Sequence, residues 1–273
     1  MSIQTVTEMA TALAKIPGVV GVQLGGSRAR GDHRPDSDWD LGLYYRQPLD
    51  LPAVRELARE FTGEEVAVAG PGEWGPWVNG GAWLVRDGVH IDWILRDIDR
   101  VQRVVRDLRA GTFEVGIQPG HPLGFFSSCY AGEVALGKIL ADPDGELADL
   151  AGQLADYPEP LRAAFAGATW ESHFCLDIAQ KATSRNDVLY VSLCLSRAIG
   201  ILVQALYAHH GRWCLNEKNA LPVTAGFPDT PPGFADSAAA ILAAPGRSPE
   251  ELVASLAAAR ELTGSVRAAI GAG

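Results

Sequence analysis

Apolar residues recur along this chain with two periods, and the balance between them shifts near residue 120. Before that point, short apolar runs and period-2 alternations mix with helical spacings and are separated by Gly, Pro and Asp, the pattern of strands interleaved with helices. Met9, Ala10, Leu13 and Ile16 mark a helix over Thr7 to Ile16, ended by Pro17-Gly18. Val19 to Leu24 reads as a buried strand. A second strand opens at Asp38, with Trp39, Leu41 and Leu43 on one face, and runs to Tyr45. After a turn bracketed by Pro48 and Pro52, Val54, Leu57, Ala58 and Phe61 predict an amphipathic helix closed by Gly63. Glu65 to Ala69 is a short strand. Ala82 to Arg86 and Val89 to Leu95 flank Asp87-Gly88, a type I′ turn dipeptide, and predict a hairpin. Asp97 is placed to cap a helix reaching Ala110. Phe113 to Pro119 is a further strand or a linker, and Gly120 to Gly124 breaks the pattern, so the domain boundary is expected there, as 1–122 and 123–273.

Beyond it the spacing is helical and no strand is predicted. The expected helices are Phe126 to Leu140, Leu147 to Leu154, Ala163 to Lys181, Val188 to His209 and Pro249 to Ile270. The chain is therefore read as α+β, a strand-and-helix domain followed by an all-α bundle.

Composition narrows the function classes. The 273 residues suffice for two domains with real cores, and the net charge of −10 argues against nucleic acid as main partner, since phosphate neutralisation needs a concentrated basic surface. An acidic balance is compatible with a small cationic substrate. Cys129, Cys175, Cys194 and Cys214 are too scattered for a metal knuckle or a redox pair and read as reduced, buried thiols. No leader is predicted in Met1 to Lys15 and no apolar run is expected to span a bilayer, so no membrane partner and a cytoplasmic location are expected.

The chemistry concentrates between Leu24 and Leu43. The first strand ends in Gly25-Gly26-Ser27, where missing side chains let backbone N–H groups approach a polyphosphate, with the Ser27 hydroxyl beside them. Asp38 and Asp40, two residues apart on a strand, turn both carboxylates to one side. Such a pair beside a phosphate cradle suits Mg²⁺, which takes one or two carboxylates and completes its shell with water and phosphate oxygens. Arg28 and Arg30 are candidate phosphate ligands in the loop between, Arg30 marginally preferred, and Ser37 either contacts a phosphate or caps its turn. Asp92, flanked by Ile91 and Trp93, is costly to bury alone; it reads as a third metal ligand, against pairing with an arginine or lying at a solvated edge. Trp74 and Trp77 in the loop Gly70 to Gly81 either cover a ligand or tuck against the sheet.

Gly26-Ser27 followed by Asp38-x-Asp40 resembles the nucleotidyltransferase superfamily of the DNA polymerase β type, and the wording Gly-Gly-Ser-Arg-Ala-Arg-Gly with a helical tail looks most like its small-molecule, antibiotic-modifying branch. The resemblance covers the first half well and the second half loosely. It implies a mixed sheet flanked by helices, one or two Mg²⁺ ions held by Asp38, Asp40 and Asp92, with Asp92 at the position of the family's third acid as metal ligand or as general base for the acceptor hydroxyl, and a nucleoside triphosphate, expected to be ATP. It also implies second-domain residues reaching the triphosphate; Arg197 and Lys218 are the candidates, although Arg197 has partners in Glu171 or Asp177. Glu133 and Glu171 are candidates for a base from the second domain, whereas His173, His209 and His210 read as packed or solvated. The function expected is transfer of a nucleoside monophosphate to a hydroxyl of a small molecule, with an aminoglycoside-like antibiotic as the sharpest candidate acceptor. The rivals are a nucleotidyltransferase that adenylylates a protein, antitoxin-like, and a non-catalytic nucleotide-binding module.

Overall fold

The computed structural model describes residues 1–272, which divide into two compact units. The first holds Met1–Asp107, Glu114–Gly120 and Gly124–Asp156; the second holds Leu108–Phe113, His121–Leu123 and the chain from Tyr157 onward.

The first unit is built on a six-stranded mixed sheet. Along the chain run α1 (Ile3–Leu13), β1 (Val19–Leu24), α2 (Gly26–Arg30), β2 (Trp39–Tyr45), α3 (Leu51–Thr62), β3 (Val68–Ala69), β4 (Gly81–Arg86), β5 (Val89–Asp97) and α4 (Ile98–Arg109). There follow β6 (Val115–Gln118), β7 (His121–Phe126), α5 (Ser128–Leu136), β8 (Lys138–Ala141) and α6 (Glu146–Gln153). The sheet order is β3-β4-β5-β2-β1-β8, with β2 and β5 parallel and the other neighbours antiparallel; β6 and β7 form a separate pair. The β4–β5 turn has Asp87 and Gly88 both at positive φ, 54° and 74°, as a type I′ turn demands.

Strand alternation sorts this sheet into two faces. Trp39, Leu41, Leu43, Ile91, Trp93 and Leu95 are all buried against Val6, Met9 and Leu13 of α1 and Val54 and Ala58 of α3. Trp93 donates its indole N–H to the Met9 sulfur at 3.4 Å, so this buried polar atom is occupied. The opposite face carries Gln23, Asp40, Tyr44, Asp92 and Arg96, set level by the registers Asp40↔Asp92 and Tyr44↔Arg96.

The second unit is helical: α7 (Glu159–Ala168), α8 (Trp170–Thr183), α9 (Val188–His209), α10 (Ala220–Thr224), α11 (Phe234–Ala243) and α12 (Pro249–Ala269). Its core gathers Leu176, Leu195, Leu202 and Leu206 with Phe234, Leu252 and Leu256. The expected α+β class, a mixed sheet flanked by helices plus C-terminal helices, is thus the observed one.

Several sequence expectations need correction. The helix expected over Phe126 to Leu140 stops at Leu136, because Gly137 lies so close to Gln23 that a Cβ there would meet its side chain at 2.3 Å; extended backbone then feeds β8, which pairs with β1. That strand and α6 belong with the sheet, so the long division falls at Asp156/Tyr157 rather than 122/123. The apparent break at Gly120 to Gly124 is the turn and first part of a hairpin, with Gly120 at φ 86°. Ala163 to Lys181 is two helices, interrupted at buried Thr169, whose hydroxyl bonds the Ala166 carbonyl at 2.6 Å and accepts from Arg267 at 2.7 Å. Finally, α9 with its 22 residues is long and apolar enough to cross a membrane, contrary to expectation; here most of that apolar surface packs inside the helical unit.

Candidate functional site

Asp40 is the fixed point of the polar face. It follows buried Trp39 at the start of β2, and its backbone carbonyl accepts from Gly25 N–H at 2.8 Å, which lashes the end of β1 to the acid. Gly26 then turns with φ 62°, and a Cβ placed on it would lie 1.8 Å from Asp40 Oδ2. A side chain here would displace this carboxylate or the turn, and the positive φ adds strain, so keeping Asp40 in place favours the glycine of the Gly-Ser pair. Ser27 is the second residue of the short α2 that follows.

Asp92 lies directly across from Asp40 on parallel β5, both half-buried, and Asp38 is exposed one step before β2 begins rather than within it. Burial first, then the charges of Asp92 and Asp38, push the Asp40 carboxyl up to about 6; Arg30 pulls the other way and Glu133 adds to the rise. Like charges gathered at one half-buried point raise a carboxyl in this way. Arg30, which lowers the Asp40 carboxyl, is itself paired with Asp32 at 3.3 Å. The carboxylate oxygens of Asp40 and of Asp92 level with it, with Asp40 short of positive charge, are the donor chemistry of a hard divalent ion such as Mg²⁺.

Beneath the acids the same face is locked by buried polar groups. Arg96 grips Glu133 of α5 with two hydrogen bonds, 2.6 and 2.7 Å, and also donates to the carbonyls of Val78 and Leu95. Tyr44 donates to Gln23 at 3.0 Å, and Gln23 donates to the Val134 carbonyl at 2.9 Å. Every one of these buried groups has a partner, so the floor under the carboxylates is rigid.

The remaining candidates distribute as follows. Arg28 does not face outward: it donates to the carbonyls of Pro35, Ser37 and Asp38 and lies over the Trp39 ring at 4.3 Å, holding the loop that delivers Asp38. Ser37 accepts from Arg34 N–H at 2.9 Å, the turn-capping geometry. In the helical unit, Arg197 makes a two-pronged pair with Glu171, 2.7 and 3.0 Å, and donates to the Leu123 carbonyl at 2.8 Å. Lys218 is exposed in a turn after α9. Glu133, expected on the second domain, belongs to the sheet unit, while Glu171 is held by Arg197. His209 meets Asp229 at 3.4 Å, and the four cysteines are buried thiols outside any disulfide among the described residues. Trp74 stacks on Trp83 of β4 at 4.4 Å and Trp77 on Phe125 at 5.7 Å, so both loop indoles tuck against their own unit.

Sequence reasoning passed over Arg96 and Trp83. Arg96 was findable: it stands four residues after Asp92 on the same strand, hence on the acid face, where a guanidinium needs a partner. Trp83 carried no such signal, because an aromatic in a strand most often means core.

Residues 6–74 match the nucleotidyltransferase domain family, a stretch that takes in Gly26, Ser27, Asp38 and Asp40 and stops short of Asp92. Domains of that family use a nucleoside triphosphate and a divalent metal. Among solved structures, a nucleotidyltransferase-like protein from Exiguobacterium sibiricum is similar over 97% of this chain and 75% of that one, with 14% identity and a TM-score of 0.49. No curated protein matches the chain.

Proposed function

We propose that this protein is a Mg²⁺-dependent nucleotidyltransferase that moves AMP from ATP to a hydroxyl of a small molecule, with an aminoglycoside-like acceptor as the leading candidate. The observation that carries the reading is the register Asp40↔Asp92, with Asp38 adding its charge and Gly26 turning against Asp40. Asp38, Asp40 and Asp92 would hold the metal, which when bound shields the triphosphate charge and the developing charge on pyrophosphate. Gly26 and Ser27 would offer backbone N–H and hydroxyl donors to the phosphates. Asp92 orients the acceptor hydroxyl and takes its proton as the oxygen attacks the α-phosphorus; the bond from that phosphorus to the bridging oxygen breaks and pyrophosphate leaves. The acidic surface, −10 overall, favours an acceptor bearing amino groups.

The test is incubation with α-labelled ATP, Mg²⁺ and a panel of hydroxylated compounds rich in aminocyclitols. Label on an acceptor with release of pyrophosphate is expected, and its absence across the panel removes the small-molecule claim. Label on a co-purified protein instead would favour the protein-adenylylating alternative.

A further inference from the structure

The acid face continues one strand beyond Asp92. Antiparallel pairing of β4 with β5 sets Trp83 directly opposite Asp92, as β5 sets Asp92 opposite Asp40. Across the sheet the same face therefore reads, in order, the Gly-Ser turn ending β1, Asp40 on β2, Asp92 on β5 and Trp83 on β4. With neighbouring strands about 4.8 Å apart, Trp83 stands one spacing from Asp92 and two from Asp40, on the side away from the phosphate turn.

Trp83 is 67% exposed, although its neighbours Ala82 and Leu84 are buried on the opposite face. Trp74 stacks on it with an interplanar angle of 18°, and Gly81 makes room, since a Cβ there would strike the Trp74 ring at 2.9 Å. Pinning the loop needs one face of the indole. The rest of Trp83 remains open to solvent in a fixed orientation, one strand from a carboxylate.

Resting on the reading of the previous subsection, we propose that Trp83, backed by Trp74, is the acceptor platform: a saturated amino-substituted ring lies on the open indole surface with its hydroxyl at Asp92. The negative π-face attracts ring C–H groups and ammonium alike, and the neighbouring acids reinforce the second attraction. Phosphates belong to the other end of the row, which separates the two substrates along the sheet.

The test uses the full chain with Mg²⁺, a non-cleavable α,β-methylene ATP and neamine, a two-ring aminocyclitol glycoside. The indole N–H resonances of the seven tryptophans report binding, with Trp83→Phe supplying the assignment. Neamine should shift the Trp83 and Trp74 signals, Trp83→Ala should weaken neamine about tenfold, and nucleotide affinity should stay within about twofold. Trp83→Phe, which keeps an aromatic face, should recover most of the neamine affinity. Unmoved Trp83 signals with neamine, or equal neamine affinity in Trp83→Ala, overturn the proposal; so does loss of nucleotide affinity instead, which would assign the indole to the base. Nucleotide binding is read separately through Asp40→Asn. A wild-type chain that binds no nucleotide defeats the transferase reading, and the neamine shifts at Trp83 then decide the platform by themselves.

Discussion

The two faces of the six-stranded sheet are made by the same strands from alternate residues, and they differ in almost every physical respect. Toward α1 and α3, Leu41, Leu43, Ile91 and Trp93 are fully enclosed and apolar. On the other side, Asp40 and Asp92 sit half-buried above the Arg96–Glu133 pair and the Tyr44–Gln23 bond. One face gathers transfer free energy; the other stores unfavourable charge. A carboxyl pushed up to about 6 beside two further acids opposes folding, and the apolar layer one residue away is what tolerates it. Stability and chemistry are thus separated by a period of two, and substitutions on either side should fail in opposite ways.

The largest separation is expected at Asp40. Asp40→Asn should lower nucleotidyl transfer by about 10³-fold or more while the chain stays folded. Without divalent ion it should even be more stable at neutral pH. In the folded chain Asp40 holds its proton up to about pH 6, whereas in the unfolded chain it titrates near 3.8, so the folded state binds more protons between those values. Stability of the parent then falls as pH rises through that window, and Asn escapes the fall. Urea denaturation should show a gain of about 3 kcal/mol above pH 6, vanishing below about pH 4. Added Mg²⁺ should narrow the difference by stabilising only the parent, and equal Mg²⁺ response in both would contradict the metal assignment. Trp93→Ala, on the other face and 0% exposed, should behave oppositely, costing about 3–5 kcal/mol with activity lost only through unfolding. Comparable midpoints for Trp93→Ala and the parent would mean that this layer is not the stabilising one.

How much of this contrast could be read beforehand depended on range. The alternation in Trp39 to Leu43 and Val89 to Leu95 and the Asp87-Gly88 turn are local signals, and each produced the element expected. Asp40 and Asp92 were visible as acids on half-apolar strands, yet their direct pairing depends on β2 and β5 meeting in parallel across 52 residues, which no local pattern encodes. The same holds for β8. Lys138 to Ala141 reads as the tail of a helix until Gly137 is found pressed on Gln23, more than 110 residues earlier. Arg28 is a third case: a loop arginine beside a Gly-Ser turn suggests phosphate, while its three carbonyl acceptors lie in a segment whose course the sequence does not specify.

Gly26 tests the boundary between the two faces. Gly26→Ala places a methyl where Asp40 Oδ2 now is and asks for φ 62° from an alanine, so either the carboxylate or the turn must move. Transfer should fall about 100-fold, with a loss of about 1 kcal/mol in stability, less than a core substitution and more than a surface one. Unchanged activity in a folded Gly26→Ala chain would show that Asp40 need not stay where it is.

Arg28 should give the smallest effect, and the most informative one about how Asp38 is held. Its guanidinium bridges the Pro35, Ser37 and Asp38 carbonyls and rests on Trp39, so Arg28→Ala frees the loop while the strands keep their register. An exposed loop contributes little to global stability, and a change of about 1 kcal/mol in urea denaturation is expected. Transfer should drop about tenfold, because misplacing one ligand costs orientation and leaves Asp40 and Asp92 in place. Lysine keeps the charge but lacks the planar fork that reaches several carbonyls at once, so Arg28→Lys should resemble alanine in both measurements. If lysine instead restores full activity, Arg28 works through its charge on the triphosphate, and the loop-holding role assigned to it here is wrong.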